Sequence, residues 1–330
     1  MTKKNSVISI LRVVAMLAII LLHLFSYFGI YEYGILNIFI YVFFIISGYL
    51  YSNKKIDNKK DFIISRIKKI LVPLWIWSFI ISIITAVSGK IKLAISSFFI
   101  SLFNLHGLDY LFFGHHILDN FQVEGLIHCW FITVIMACYL SLIFIKGSKI
   151  EEYIEKNRIL SMTIFIIFQV LLALLLNVQI AGILAFYFGY YCLSDRNINI
   201  KNCLLYFIVS LLLGFARIYL HAYIDGTIFY DQVIQPYFNI SSAMFIVVIA
   251  LLLYQNNPMI KDTINDISKN NIFRWFEKNS YYLFIVHYAF LYQPFNFLLF
   301  GNFKIIIFSL SLFLSAQILN VLTNLIAKNK

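Results

Sequence analysis

The chain has 330 residues, of which 62% are hydrophobic and only 12% are charged, with a mean hydropathy of +0.85. Soluble globular proteins carry about 25% charged residues, so this composition excludes a soluble enzyme and indicates a polytopic membrane protein. The net charge of +11 does not indicate nucleic acid as a partner, because membrane proteins concentrate Lys and Arg in their cytoplasmic loops.

Ten apolar stretches of about 20 residues predict transmembrane helices. They cover residues 7–28, 35–52, 71–88, 126–145, 159–176, 179–193, 203–220, 238–254, 280–300 and 303–326. The sixth stretch is short, and we expect the chain to reverse at Asn177 just before it. Segment 93–105 is too short to cross a bilayer and predicts an interfacial helix.

The distribution of positive charge supports this count and gives an orientation. With the N-terminus inside, 21 of the 26 Lys and Arg side chains fall in cytoplasmic segments, and only Lys90, Lys92 and Lys304 lie on the opposite side. We therefore predict a single all-α domain over residues 1–330, a membrane helical bundle of about ten spans with both termini in the cytoplasm.

The first predicted span carries two ionisable residues, Arg12 and His23. Burial of such groups in hydrocarbon costs several kcal/mol by some measures, so they are functional candidates by default. They are eleven positions apart, which at 100° per residue is about three full turns and about 16 Å along the axis. Both side chains therefore leave one face of the helix, which indicates a polar path through the bilayer.

Several collinear segments carry a family resemblance. They are the Arg12–His23 pair, IYVFFIISGYL (40–50), RIKKILVPLW (66–75), HCWFI (128–132) and YYLFIVHYAFL (281–291). Together they resemble the acyltransferase-3 family of integral membrane O-acyltransferases. The chain departs from the family pattern at Cys129, where an apolar residue is expected, and in lacking the glycine pair before the second segment. We expect a stand-alone membrane domain with no appended hydrolase-like domain.

The resemblance implies a function. The chain is expected to be an O-acyltransferase, in the simplest case an O-acetyltransferase, of the inner or plasma membrane. It would move an acyl group from cytoplasmic acyl-CoA, such as acetyl-CoA, to a hydroxyl of a surface polysaccharide or lipid-linked sugar. Acyl-CoA is then a substrate, and no permanently bound cofactor is expected. Two alternatives stay open: a transporter of a surface glycan or acyl compound, and a scaffold for glycan-assembling enzymes.

Within that reaction, His23 and Arg12 are the predicted catalytic residues. A neutral imidazole can take the proton of a sugar hydroxyl as its oxygen attacks a thioester, or it can accept the acyl group itself. The guanidinium of Arg12 can bind a phosphate or a carbonyl of the donor. The alternatives are a packing histidine and an arginine that reaches toward the interface.

Donor binding is predicted for Arg66, Lys69 and Ser47. Arg66 and Lys69 match the family spacing and lie in a cytoplasmic cluster of cations that complements the phosphates of coenzyme A. The alternative is binding of anionic lipid head groups. Ser47 and Gly48 can let the thin pantetheine chain approach closely, but close helix packing is the favoured explanation for small residues at this position.

Acceptor binding is predicted for Glu32, Glu124, His128 and Arg217 on the outer side. Glu124 and His128 are four residues apart, and Arg217 and His221 repeat that spacing, which places each pair on one helix face. A structural hydrogen-bonding role is the alternative for each pair. For Glu32 the alternatives are orienting the imidazole of His23 and being a solvated acid in a loop.

The remaining histidines and the cysteines are not predicted to be site residues. His287 lies in an aromatic run and is predicted to be structural, with a catalytic role as the alternative. The four cysteines lack ligand spacing and are predicted to be packing residues. His115 and His116 have no third ligand at metal-like spacing, so no metal site is expected.

Overall fold

The structure is a computed structural model that describes residues 6–30, 35–52, 54–108, 118–193, 198–299 and 303–328. Over these residues the chain is almost entirely helical and contains no β-strand, which confirms the all-α prediction. The α-helices are α1 (Ser6–Tyr27), α2 (Ile38–Ser52), α3 (Lys59–Arg66), α4 (Val72–Val87), α5 (Ile91–Leu102), α6 (Glu124–Ile127), α7 (Trp130–Ile145), α8 (Lys149–Lys156), α9 (Arg158–Leu176), α10 (Ala181–Cys192), α11 (Ile200–Ile224), α12 (Gln235–Asn256), α13 (Pro258–Lys269), α14 (Asn271–Leu291) and α15 (Lys304–Lys328).

Eight helical stretches are long and apolar enough to cross a membrane. They are Ser6–Tyr27, Ile35–Ser52, Lys59–Val87, Glu124–Ile145, Arg158–Leu176, Ile200–His221, Tyr230–Asn256 and Lys304–Ile326. Each corresponds to one of the predicted spans. The chain is therefore a polytopic, multi-pass membrane protein, while the side of the membrane that each terminus faces stays a prediction.

Two predicted spans differ from the helices that form. The sixth is only the twelve-residue helix α10. The ninth was expected at 280–300, but α14 begins at Asn271 and ends at Leu291. The side-chain oxygen of Asn270 accepts bonds from the first backbone N–H groups of α14, which fixes this early start. Because the first turns of α14 are polar, the hydropathy pattern did not predict that this helix begins at Asn271.

The loop between α9 and α10 reverses where the sequence predicts it. Asn177 has a left-handed backbone conformation, with φ of +55°, and its N–H bonds to the carbonyl of Ala173. The next N–H, of Val178, reaches back to Leu172, a pattern that commonly ends helices. Asparagine tolerates this conformation better than most residues, which explains the tight turn.

Backbone proximity divides the chain into two compact units. The first unit comprises Met1–Ile19, Glu32–Ile56 and Ser141–Glu277; the second comprises Ile20–Tyr31, Asp57–Leu140 and Lys278–Lys330. Helices α1 and α14 each contribute residues to both units. The expectation of one domain over residues 1–330 stays a prediction.

In the first unit, α2 and α10 pack backbone against backbone. A Cβ atom added at Gly48 would lie 1.9 Å from the carbonyl oxygen of Phe186, and one added at Gly189 would lie 2.0 Å from that of Ile45. Both distances are impossible for a side chain. Small residues allow this approach where helices meet in a membrane, so glycine is required at both positions.

In the second unit, buried polar pairs join the helices. The hydroxyl of Ser78 on α4 donates to that of Ser101 on α5 at 2.6 Å. The amide of Asn320 on α15 donates to that of Asn279 on α14 at 2.7 Å. Side-chain bonds of this kind hold helices together in hydrocarbon. They fix α14, the helix that carries His287.

Candidate active site

His23 lies on α1, in the part of that helix that belongs to the second unit. The helix is uninterrupted, so Arg12 and His23 stand on one continuous helix, as the sequence predicts. The His23 ring is half-buried, and its centroid lies 5.3 Å from that of His287 and 4.8 Å from that of Tyr288. The His128 ring is farther from it, at 6.5 Å. We call His23, His128 and His287 the histidine cluster.

A helix break turns His128 inward. α6 ends at Ile127 and α7 begins only at Trp130, so His128 lies in the junction rather than on a regular helix. Its side chain is buried, with 4% of its surface exposed. The ring nitrogen Nε2 lies 2.9 Å from the carbonyl oxygen of Phe284 on α14. The hydrogen bond of the His128 side chain therefore connects the junction between α6 and α7 to α14.

Gly125 brings this junction close to the end of α14. A Cβ atom at Gly125 would lie 2.4 Å from the carbonyl oxygen of Gln293 and 2.8 Å from the Cα of Ala289. The Gly125 N–H donates to the same Gln293 oxygen at 2.9 Å. Only glycine allows so close an approach, and this contact places His128 beside the rings of α14.

One carbonyl group fixes two members of the histidine cluster. The oxygen of Phe284 lies 2.9 Å from Nε2 of His128 and 2.7 Å from Nδ1 of His287. A carbonyl oxygen only accepts, so both of these ring nitrogens carry a hydrogen. In the neutral form each ring then has a bare second nitrogen, Nδ1 of His128 and Nε2 of His287. Both are buried and have no hydrogen-bond partner among the described residues.

Tyr288 is a further ring that contacts His23. It stacks on His128 with 4.9 Å between centroids and on Tyr292 with 4.4 Å. Its ring meets that of His23 edge to face. Aromatic contacts of this kind restrict ring orientation, so His23 is confined on the side where Tyr288 lies.

His106 adds a further buried imidazole in the second unit. It follows a turn at Asn104, whose φ is +55°, and this turn is held to α7 by the hydroxyl of Thr133, which donates to the Asn104 carbonyl at 3.0 Å. Nδ1 of His106 lies 2.6 Å from Oε1 of Gln122, and the amide of Gln122 donates to Asp119 at 2.9 Å. The chain of bonds assigns the hydrogen of His106 to Nδ1.

Burial sets the charge of His106. Its side chain is 1% exposed, and desolvation lowers the pKa of His106 to about 4, against the smaller raising effects of Gln122 and Asp119. His106 is therefore neutral near pH 7. Its Nε2 is bare, buried and without a partner among the described residues.

Arg12 lies in the first unit, where it pairs with an acid. Its Nη2 is 3.6 Å from Oε1 of Glu277 on α14, and the side chains of Arg12 and Glu277 are 41% and 8% exposed. Glu277 was not predicted as a site residue from the sequence. Arg12 remains accessible enough to meet a ligand, and it is also tied to a nearly buried carboxylate.

The predicted donor-binding cations lie at the start of the third span. The guanidinium of Arg66 lies 5.6 Å from the ring centroids of both Phe62 and Tyr139, an arrangement that orients a planar cation. Lys69 is exposed and belongs to a five-residue π-helical stretch, Ile67–Leu71. π-helical turns often occur at functional sites, and donor binding by both residues stays a prediction.

Ser47 is half-buried on α2, and its neighbour Gly48 has a packing role. The Gly48 backbone contacts α10, as described above, which favours the packing interpretation of this pair of small residues. Donor binding by Ser47 stays a prediction.

The predicted acceptor-binding residues fall in different environments. Glu32 lies outside the described residues. Glu124 is exposed while His128 is buried, because the helix breaks between them, so the expected pair on one helix face is wrong. The second expected pair lies on the unbroken helix α11, where Arg217 lies over the ring of Phe238 at 5.3 Å and His221 pairs with Asp225 at 3.1 Å.

Metal-ligating chemistry finds no support in the part of the chain that the structure describes. There, no group of three or more His, Cys, Asp or Glu side chains is arranged to hold a metal ion. All four cysteines are free thiols, and Cys129 is fully buried beside His128, with 3.8 Å between Sγ and Nε2. His115 and His116 lie outside the described residues.

Two histidines near the candidate site received no functional role from the sequence. His287 was interpreted as structural, although it stands in one of the segments that carry the family resemblance. His106 belongs to no such segment, and nothing in its sequence context distinguishes it. Only the fold brings its loop next to α7.

Comparison with known proteins agrees with this architecture. A family model described as an acyltransferase domain, acyltransferase 3, matches residues 5–325, nearly the whole chain. No curated protein and no solved structure matches the chain.

Proposed function

Because the chain belongs to the acyltransferase-3 family, we propose that this membrane acyltransferase is an O-acyltransferase that uses His23 as its reactive base. The observation that carries the proposal is the placement of His23. Its half-buried ring lies against His287 and Tyr288 in the second unit. The neutral form of such an imidazole is the form that accepts a proton.

The proposed donor is acyl-CoA from the cytoplasm, acetyl-CoA in the simplest case, and the acceptor is a hydroxyl of a surface polysaccharide or lipid-linked sugar. His23 takes the hydroxyl proton as the oxygen attacks the thioester carbonyl. The carbon–sulfur bond then breaks, and the proton passes from His23 to the departing thiolate. Atoms and charge balance over this cycle, and the enzyme works in the cell membrane.

An acyl-histidine route would use the same residue. In that route His23 attacks the thioester first, and the acceptor hydroxyl then attacks the acyl-imidazole. Rapid quenching after addition of labelled acyl-CoA without acceptor distinguishes the routes, because only this route leaves label on the peptide that contains His23.

For Arg12 we propose a role in holding the donor. The guanidinium is partly exposed and its Nη2 lies near Glu277, and because a guanidinium carries five N–H donors it can also bind a phosphate or carbonyl. Arg66 and Lys69 are proposed to bind donor phosphates. Glu124, His128 and Arg217 are proposed to contact the acceptor, since sugars are recognised by polar side chains beside aromatic rings.

The direct test measures thiol release and acyl transfer by the purified protein in nanodiscs, with a set of short acyl-CoA donors and membrane glycan as acceptor. His23→Ala should lower the rate by about 10²- to 10⁴-fold, the usual contribution of a general base. Tyr153→Ala is the control, because Tyr153 is a ring side chain that is 57% exposed on α8 and belongs to no predicted site, so its loss should leave the rate unchanged.

Two results would contradict the proposal. Undiminished transfer by His23→Ala would remove this histidine from the mechanism. No thiol release from any donor by the wild-type protein, with glycan movement across the membrane instead, would support the transporter alternative.

A further inference from the structure

His287 is held in one orientation and in one protonation pattern. Its Nδ1 donates to the Phe284 carbonyl at 2.7 Å, and its side chain is fully buried. The ring therefore presents a bare Nε2 that has no partner among the described residues. A buried acceptor without a donor is costly, so a donor that can reach Nε2 is expected to bond to it.

His23 is the nearby ring whose own orientation is not fixed by a hydrogen bond in the described part of the chain. Its centroid lies 5.3 Å from that of His287, with 33° between the ring planes. Two imidazoles joined by an N–H···N bond of about 3 Å have centroids roughly 5 Å apart. The separation thus fits a direct bond after a small rotation of the His23 ring. His128, at 6.5 Å, is too far away for one.

We propose that His287 is a positioning residue for His23: its bare Nε2 accepts a hydrogen bond from one ring N–H of His23. This inference rests on the proposed function, because it assigns His287 a task only if His23 is the base. A neutral imidazole has one hydrogen for its two nitrogens. When that hydrogen points to His287, the other nitrogen of His23 is bare and available to the acceptor hydroxyl.

The arrangement follows the logic of a catalytic triad, in which a third group sets the tautomer of the histidine that does the chemistry. Here the third group is an imidazole, and a backbone carbonyl fixes it in turn. Because the Phe284 oxygen cannot donate, His287 cannot exchange its two nitrogens without losing a buried bond. The Phe284 carbonyl therefore fixes which nitrogen of His287 donates, and His287 in turn fixes which nitrogen of His23 carries the hydrogen.

The test uses nitrogen-15 NMR of histidine side chains in protein purified into nanodiscs, with His23→Gln to identify the His23 signals. The wild-type protein should show a single His23 tautomer with a hydrogen-bonded N–H. His287→Leu removes the acceptor and should give a mixture of His23 tautomers. His287→Gln offers an amide oxygen as acceptor and should restore the single form.

Transfer kinetics provide the second measurement. His287→Leu should lower kcat by about 10²-fold or more, as loss of the orienting group does in triads, with KM for acyl-CoA changed by less than about threefold. His287→Gln should recover most of kcat. Thermal unfolding of both variants shows whether the fold persists, and if His287→Leu does not fold, the wild-type tautomer alone decides the question.

The outcomes separate this inference from the proposed function. A mixture of His23 tautomers in the wild-type protein, or an unchanged single tautomer in His287→Leu, overturns the positioning role even if His23→Gln abolishes transfer. If the tautomer depends on His287 but His23→Gln transfers normally, the bond exists and the proposed function is wrong.

Discussion

The oxygen of Phe284 shows how one backbone atom can determine the chemistry of a site. It accepts from both His128 and His287, and it thereby leaves a bare nitrogen on each ring. No property of Phe284 as a residue type indicates this, since any amino acid would present the same carbonyl. The contact arises because the break after α6 brings His128 against α14.

The Arg12–Glu277 pair leads to a prediction about stability. Arg12→Met should lower the free energy of unfolding more than Glu277→Gln, because the carboxylate is 8% exposed while the guanidinium is 41% exposed and can be solvated. We expect a cost of about 1 to 2 kcal/mol for Arg12→Met, reduced from the value for a fully buried pair by solvent screening. Thermal unfolding in detergent measures both variants.

The double variant serves as the control for this pair. If the two side chains interact, the loss in the double variant is smaller than the sum of the two single losses. Simple additivity would show that the ion pair contributes nothing to stability.

His106 predicts a dependence of stability on pH. Burial lowers its pKa from 6.5 to about 4, so between these values the unfolded chain binds a proton that the folded chain does not. The free energy of unfolding is therefore highest above pH 6.5. It decreases as the pH falls from 6.5 to 4 and is constant below pH 4, and the total decrease due to His106 is about 3 kcal/mol. Unfolding measured across this range should show the loss.

His106→Asn isolates this effect from other titrating groups. Asparagine can still donate to Gln122 but has no proton to gain, so its unfolding profile should be flatter than that of the wild-type protein between pH 6.5 and 4. Parallel profiles for the two proteins would show that His106 does not titrate differently on folding.

At the level of residues, the sequence predicted the position of His23 but only part of its surroundings. Intramembrane position drew attention to His23, and helical spacing paired it with Arg12. Its neighbour His287 comes from a sequence position 264 residues away, and this proximity depends on tertiary packing that spacing does not encode. The pairing of Glu124 with His128 failed because it assumed an unbroken helix.

At the level of elements, the contact between α2 and α10 predicts a strict requirement for glycine. Gly48→Ala should cost about 3 kcal/mol or more, because its Cβ would overlap the Phe186 carbonyl and one of two packed backbones must move. Gly214→Ala is the matched control within a helix. There the nearest atom is the edge of the Phe238 ring at 3.2 Å, so the change should cost less than about 1 kcal/mol. Equal thermal shifts would contradict this packing.

The end of α2 predicts a role for Lys146. Its ammonium donates to the carbonyls of Tyr51 and Ser52 at 2.8 and 3.0 Å and to the hydroxyl of Tyr190 at 2.7 Å. It thus satisfies the last carbonyls of α2, where a cation is also favoured by the helix dipole. Lys146→Met should lower the free energy of unfolding by about 2 to 3 kcal/mol.

Lys149→Met is the control for Lys146, because Lys149 is exposed at the start of α8 and should be silent in thermal unfolding. If both variants unfold at the wild-type temperature, the bonds of Lys146 do not hold the end of α2.

At the level of the whole molecule, hydropathy predicted the architecture because the bilayer requires about 20 apolar residues for each crossing. Eight of the ten predicted spans are long apolar helices. The pattern was least informative for α14, where Arg274, Glu277 and Lys278 lie in the same helix as His287. A helix that contains three charged side chains besides His287 departs from the hydropathy expected of a simple span.

The orientation of the chain in the membrane is the last prediction, and it rests on the asymmetry of positive charge. Lys92 and Lys149 are both exposed, and the charge pattern places Lys92 outside and Lys149 in the cytoplasm. In intact cells a membrane-impermeant maleimide should label Lys92→Cys, whereas Lys149→Cys should react only after permeabilisation. The unsubstituted protein controls for its own thiols, of which Cys129, Cys138 and Cys203 are buried. Labelling of Lys149→Cys in intact cells would reverse the orientation and, with it, the side from which acyl-CoA is proposed to arrive.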